Sequence, residues 1–303
     1  MNSHWYILGA GAIGCQWAAA LLKGGSRVSL IVRSPERLAQ LEHNGGITIE
    51  SKQGTAHYPV AGRLAADCPT IGHLLVATKA YDALPAIKRL HGQLSATAQI
   101  ILIQNGMGSQ QAIQTLLPEH PIIAATTTNG AWLRKPFHVV LAGTGNTQLG
   151  LLNPAGQPQP KLPATPGLDI SWDLYIDQAL WRKLAINCAI NPLTAVHGCQ
   201  NGQLVSTPAL HTELAQVCHE VDQLLAGEGL QLFSSGLLPV AEQIARQTGD
   251  NYSSMLQDIR QGRQSEIDYI TGYLLQRAAA LQMSLPINQA LYSAVTQLDQ
   301  TSG

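Results

Sequence analysis

Apolar residues follow two rhythms along this chain. In the first half they come in short continuous runs broken by Gly, Ser and Asn; in the second they recur at helical spacing. Trp5-Tyr6-Ile7-Leu8 is the first run, with the length and composition of a buried strand. After Gly9-Ala10-Gly11-Ala12-Ile13-Gly14, residues 15–23 are rich in Ala and Leu and predict a helix, stopped at Gly24-Gly25. Residues 27–32 form a second strand. Ser34 then caps a second helix with Pro35 at its first position. Short strands are expected at 47–50 and 57–60, buried strands at 71–77 and 99–103, and further strands within 122–133 and 139–149.

Residues 153–166 hold five prolines (Pro154, Pro158, Pro160, Pro163 and Pro166), a composition suited to a linker. From about Ile176 the periodicity is helical, including an amphipathic helix over 209–225. The expected architecture is α/β: an N-terminal Rossmann-type dinucleotide-binding domain over residues 1–170, followed by an all-helical C-terminal domain over 171–303. No internal repeat of 20–50 residues is present.

The first run ends in chemistry. Strand, G-x-G-x-x-G turn, helix, strand is the dinucleotide-binding βαβ unit. In it the first glycine permits the tight turn, the second lets a pyrophosphate approach the backbone, and the third allows close helix–strand packing. The helix N-terminus offers free N–H groups to the phosphates. Residues 9–14 (Gly9, Ala10, Gly11, Ala12, Ile13, Gly14) are therefore assigned to cofactor binding. At the end of the second strand, where an NAD enzyme usually carries an acid, stands Arg33. A carboxylate there would repel a 2′-phosphate and a guanidinium can hold one, so the expected cofactor is NADP(H). Lys79 and Asn105 follow buried strands, at the carboxyl ends where ligands of open parallel sheets bind. Taken blandly, Lys79 is an exposed loop lysine and Asn105 a turn residue before Gly106.

Composition narrows the classes. With 303 residues and 45% hydrophobic content, the chain can bury the cores of two domains. Net charge is −1, and neither a basic stripe nor a charge block marks a nucleic-acid partner or a tail. Five cysteines without C-x-x-C pairing suggest reduced thiols in a cytoplasmic protein. No run is long and apolar enough to span a membrane, and no signal peptide is expected, since its cleavage would destroy the glycine turn. His211, Cys218 and His219 could align on one helix, but no further ligand is apparent and no metal is expected.

Only 12% of residues are charged, so charges inside apolar patterns stand out. Lys183, Asn187 and Asn191 recur at i, i+4 and i+8 among Leu184, Ile186, Cys188 and Ile190. On a helix they share one face, and burying them is costly unless they meet polar partners. Lys183 can instead be read as a snorkelling lysine. Asn191, before Pro192, is expected to end its helix and cap the next. Asn201-Gly202 is a turn. Ser254 with Gln257, and Ser265 with Asp268, match capping boxes, leaving Glu266 as a first-turn acid. The last of these helices is expected to bury Leu274, Leu275, Ala278 and Leu281.

Taken in order, the glycine turn, Lys79, Gln104-Asn105-Gly106, Trp181-Arg182-Lys183-Leu184, Asn187 to Thr194, Asn201-Gly202, Ser253-Ser254-Met255-Leu256-Gln257-Asp258 and Glu266-Ile267-Asp268-Tyr269-Ile270 resemble the ketopantoate reductase family. These are NADPH-dependent 2-dehydropantoate 2-reductases of pantothenate and coenzyme A biosynthesis. The resemblance runs from Ile7 to about Tyr273, and Thr271 departs from it where the family pattern has Asn. It implies that Lys183 is the proton donor, and that Asn105 touches both cofactor and substrate. It further implies that Asn187, Asn191, Asn201 and Ser254 bind substrate. Glu266 would lie near the substrate hydroxyl and the cofactor, Arg33 would hold the 2′-phosphate, and Ala131 would contact the cofactor.

On that resemblance the chemistry is hydride transfer from NADPH to a 2-oxo acid, with an ammonium on Lys183 stabilising and protonating the alkoxide. The implied partners are ketopantoate or pantoate as small-molecule substrate and, at most, a second copy of the chain in a homodimer. Two alternatives stay open at this point: a reductase of another small 2-oxo acid, and a non-catalytic NADP(H) sensor.

Overall fold

The computed structural model describes residues 3–153 and 159–302. Pro154 and Pro158 of the proline-rich stretch lie outside the described residues. The chain divides into two compact units, Met1–Gln104 with Ser109–Asp177, and Asn105–Gly108 with Gln178–Gly303.

The first unit contains, in order, β1 (His4–Leu8), α1 (Ala12–Lys23), β2 (Arg27–Ile31), α2 (Pro35–His43), β3 (Ile47–Ser51), β4 (Gly54–Tyr58), β5 (Ala61–Arg63), β6 (Ile71–Val76), α3 (Ala80–Leu90), β7 (Leu94–Leu102), α4 (Ser109–Leu116), β8 (Ile122–Thr127), β9 (Gly130–Lys135), β10 (His138–Gly143), β11 (Asn146–Leu151) and β12 (Asp169–Trp172). Strands β5-β2-β1-β6-β7-β8 lie side by side and all parallel; β11, antiparallel to β8, and β12 extend the sheet. The chain leaves β1 towards β2 and β5, then returns to β6 on the other side. β1 and β6 therefore flank a topological switch point, where a doubly wound sheet binds its ligand.

The runs that looked like buried strands are apolar on both faces because helices cover both. Trp5 and Ile7 of β1 join one core with Trp17, Leu21 and Leu30, whereas Tyr6 and Leu8 join the other with Leu74, Ile87 and Ile100. Ser34 caps α2 as expected, accepting from the Arg37 N–H at 3.4 Å. The chain segments 122–133 and 139–149 resolve into β8 to β11. Of these β9 and β10 leave the main sheet and form a second one in the order β4-β3-β10-β9, which packs on α1. The unit ends at Asp177, a few residues beyond position 170.

The second unit is helical: α5 (Ile176–His197), α6 (Gln203–Ser206), α7 (Pro208–Gly227), α8 (Leu237–Gln247), α9 (Ser254–Arg260), α10 (Thr271–Ala280) and α11 (Pro286–Ser302). Four local expectations are corrected here. α5 does not stop at Asn191 but runs through Pro192, because Leu193, Thr194 and Ala195 are buried and their packing outweighs one missing N–H. The cap of α9 is Ser253, not Ser254; its Oγ accepts from the Leu256 N–H at 3.1 Å and from Thr194 Oγ1 at 2.7 Å. Ser265 and Asp268 form no capping box. Ser265 Oγ donates to Asp299 at 2.8 Å, Asp268 accepts from the Tyr292 hydroxyl at 2.7 Å, and α10 starts only at Thr271. Leu274 and Ala278 are buried in α10, while Leu281, just past its end, is exposed.

All five cysteines are unpaired and buried. No helix among the described residues is long and apolar enough to cross a membrane.

Candidate active site

In the first unit the glycine turn sits at the carboxyl end of β1, stitched to β6 by the Ala77 N–H donating to Leu8 O at 2.8 Å. Each glycine answers a different demand. Gly9 has φ +103°, and a Cβ on it would stand 2.7 Å from Thr78 N. A Cβ on Gly14 would stand 2.0 Å from Gly9 O, so the helix could not pack so close to the strand. Gly11 differs from both: a Cβ there would meet nothing within 4 Å. Its absence leaves open space beside the backbone. Gly11 is also the N-cap of α1, with no side chain to occupy the first N–H groups and no acid in the first turn. Open space at the second glycine and uncapped N–H groups behind it fit a pyrophosphate. Ala10, Ala12 and Ile13 of the turn and Ala131 of β9 all pack against one core.

Arg33 lies exposed just past the end of β2, and Lys79 is the half-buried N-cap residue of α3, just past β6. Both stand at carboxyl ends of parallel strands, together with the glycine turn.

The second unit holds the other set. Lys183, Asn187 and Asn191 follow one face of α5; the first two are half-buried and Asn191 is buried. Residues Leu184, Cys188 and Ile190 between them are buried in the packing of the unit. Burial lowers the Lys183 pKa to about 8, although the negative charge of Glu266 pulls the other way. The two residues, eighty-odd positions apart in sequence, are thus electrostatic neighbours.

Glu266 is 5% exposed and its position is built from three directions. Ser265 before it is fixed to Asp299 of α11, through both its N–H and its hydroxyl. Its own carbonyl accepts from the N–H groups of Tyr269 and Ile270 at 3.1 Å. The Met107 N–H donates to Tyr269 O at 2.8 Å, clipping segment 105–108 onto the same turn. Gly106 makes that clip possible: its φ is +79°, and a Cβ would lie 2.2 Å from Tyr269 O. The clip brings Asn105 Nδ2 to 3.4 Å from Glu266 Oε2.

Asn201 is joined to the loop before α9, its N–H donating to Asn251 O at 2.9 Å. Its Nδ2 donates to Thr248 Oγ1 at 2.8 Å, and that hydroxyl donates to Ile244 O. Asn201 Oδ1 is then left as a buried acceptor without a hydrogen-bond partner among the described residues. Ser253, whose capping role was expected of its neighbour, fixes the loop to Thr194 of α5 and leaves the exposed Ser254 hydroxyl out of the cap. The local signal, Gln257 three residues after Ser254, pointed to the wrong serine of the pair.

The structure therefore brings together Lys183, Glu266 and Asn105 through direct interactions, and links the loops carrying Asn201 and Ser254 to each other and to α5. A desolvated ammonium beside a buried carboxylate can donate a proton to a developing alkoxide. A glycine cradle of this form holds a nicotinamide dinucleotide.

Comparison with known proteins agrees on the whole chain. The family model for ketopantoate reductase PanE/ApbA matches residues 5–154, and that for its C-terminal part matches residues 175–299. The 2-dehydropantoate 2-reductase of Shigella flexneri is 38% identical over 95% of this chain and 93% of its own length. That of Vibrio cholerae is 33% identical over 97% of each. Among solved structures, a PanE/ApbA family ketopantoate reductase from Ralstonia eutropha superposes with a TM-score of 0.88 at 26% identity, covering 99% of both chains. A ternary structure of D-mandelate dehydrogenase with NADH and anilino(oxo)acetate reaches 0.87 over 99% of each chain at 21% identity, which shows the shared fold alone. A glycine cradle at the switch point, a helical unit carrying a desolvated lysine beside a buried glutamate, and family models matched across both halves make this chain an oxidoreductase of the ketopantoate reductase family.

Proposed function

We propose that this protein reduces 2-dehydropantoate (ketopantoate) to pantoate with NADPH, a step of pantothenate and coenzyme A biosynthesis. The observation that carries this reading is the desolvated Lys183 beside the buried Glu266, with Asn105 on the same carboxylate. The names of the relatives support the substrate. When bound, the dinucleotide supplies the hydride. Residues 9–14, Arg33, Lys79 and Ala131 would hold it, with Asn105 and Glu266 at its reactive end.

Lys183 binds the substrate carbonyl oxygen through its ammonium, stabilises the charge that develops there and delivers the proton. Glu266 keeps that lysine charged and accepts from the substrate hydroxyl. Asn187, Asn191 and Ser254 offer neutral hydrogen bonds, and Asn201 Oδ1 is available to a substrate donor. A sensor would have no use for a desolvated proton donor, so catalysis is the better account.

Steady oxidation of NADPH on addition of ketopantoate tests the proposal; its absence, with NADPH bound, would refute it. The cofactor assignment has its own test. Arg33→Ala should raise the Kd of NADPH by roughly ten- to hundredfold, the scale of one lost charge-assisted contact, and leave that of NADH nearly unchanged. Equal losses for both cofactors would remove Arg33 from the phosphate.

A further inference from the structure

We propose that Arg37 is a second arginine of the 2′-phosphate site, acting with Arg33 to set the preference for NADPH. This rests on the NADPH assignment above. Arg37 stands four residues after Arg33, in the first turn of α2. Its guanidinium carbon lies 4.4 Å from the ring centroid of Phe137, and its Nη1 donates to Gln40 Oε1 at 3.0 Å.

The ring is a fixed platform. Phe137 is buried in the core, holds a φ of +63° that non-glycine residues rarely adopt, and accepts the Thr48 N–H on its carbonyl at 2.8 Å. A guanidinium stacked on such a ring keeps its plane and loses little further freedom when it grips an anion.

Neither arginine is neutralised. Among the described residues no ion pair joins Arg33 or Arg37 to a carboxylate, and the acid between them, Glu36, is engaged with Ser34. The two cations feel each other: burial, and then the charge of Arg33, hold the Arg37 pKa below the usual arginine value. Two like charges kept together at the end of β2, one of them preorganised on an aromatic face, form a poor surface feature and a good receptor for a dianion. A 2′-phosphate carries close to two negative charges at neutral pH. The alternative is that Arg37 serves only to cover Phe137.

Arg37→Met separates the two, because the methionine stem still covers the ring and only the charge is lost. The probes are adenosine 2′,5′-bisphosphate and adenosine 5′-monophosphate, titrated calorimetrically into the full-length chain. The expected result is a roughly ten- to hundredfold rise in Kd for the bisphosphate, none for the monophosphate, and a near-native Tm. Arg37→Lys should recover part of the loss, since it restores the charge without the fork. If Arg37→Met leaves the ratio of the two constants unchanged while Arg33→Ala collapses it, the Arg37 proposal is overturned and the NADPH assignment stands. A wild-type chain that binds both nucleotides equally overturns the NADPH assignment, and the Arg37 proposal with it.

Discussion

Lys183→Ala is expected to lower kcat by about 10²–10⁴-fold, the usual scale for losing general acid catalysis, with little change in the Kd of NADPH. The side chain rises from α5 beside the buried Leu184 and Ala185, and burial has brought its pKa down to about 8. A donor with a pKa near the working pH is well matched to proton transfer. It also makes the pH profile informative. Reduction needs the ammonium, so kcat should be level below about pH 8 and fall as the pH rises through that value. The stability effect runs the other way. The unfolded lysine holds its proton up to its ordinary 10.5 and the folded one only to about 8, so between these values the unfolded state binds more protons. The fold therefore carries a penalty below about pH 8 that is lifted as the pH climbs towards 10.5. Lys183→Met removes the titrating group, so the gain in Tm that wild type shows between about pH 8 and 10.5 should be absent from it. Near-native turnover in Lys183→Ala would eliminate the lysine as proton donor.

What the sequence disclosed follows the range of the forces involved. The glycine turn, β1 and β2 were legible because every requirement of that unit lies within thirty residues: a short apolar run, three glycines with distinct steric roles, and an Ala/Leu helix. The second sheet was not legible. β3, β4, β9 and β10 are short strands like the others, but nothing local says that β10 pairs with β3 rather than with the main sheet. Pro192 misled because a local rule about helix ends competes with the burial of Leu193 and Thr194, which only the tertiary fold supplies. Ser253 and Ser254 are both competent caps, and the choice is made by Thr194, fifty-nine residues away in the chain. The same holds at the site. Lys183, Asn187 and Asn191 could be set on one face from spacing alone, whereas the position of Glu266 depends on Asp299 and on a clip at Gly106 that no periodicity encodes.

That construction shapes what Glu266→Gln should do. A first-turn acid on an exposed helix start is worth only about 0.3–1 kcal/mol and has no claim on turnover. Glu266 is placed otherwise: it is buried, it starts no α-helix, and it faces Asn105 and Lys183. Glutamine keeps its shape and can still accept from Asn105, but removes the charge that holds Lys183 protonated. The lysine pKa should then drop below about 8, so the alkaline fall in kcat should move to lower pH, and kcat at neutral pH should decrease. A residue that merely fixed the turn between Ser265 and Tyr269 would lower Tm and leave that profile where it was. The substrate side is read with 3,3-dimethyl-2-oxobutanoate, which replaces the hydroxymethyl group of ketopantoate by methyl. Wild type should discriminate against it strongly, because a buried carboxylate loses its donor. Glu266→Gln should raise the KM for ketopantoate and narrow the gap between the two substrates. Variant and analogue together form a double-mutant cycle, with the hydroxyl as one of the groups removed. A coupling of zero within error, with the pH profile unmoved and Tm alone reduced, would confine Glu266 to holding the turn and leave the substrate hydroxyl to another acceptor, with the orphaned Oδ1 of Asn201 the next to test.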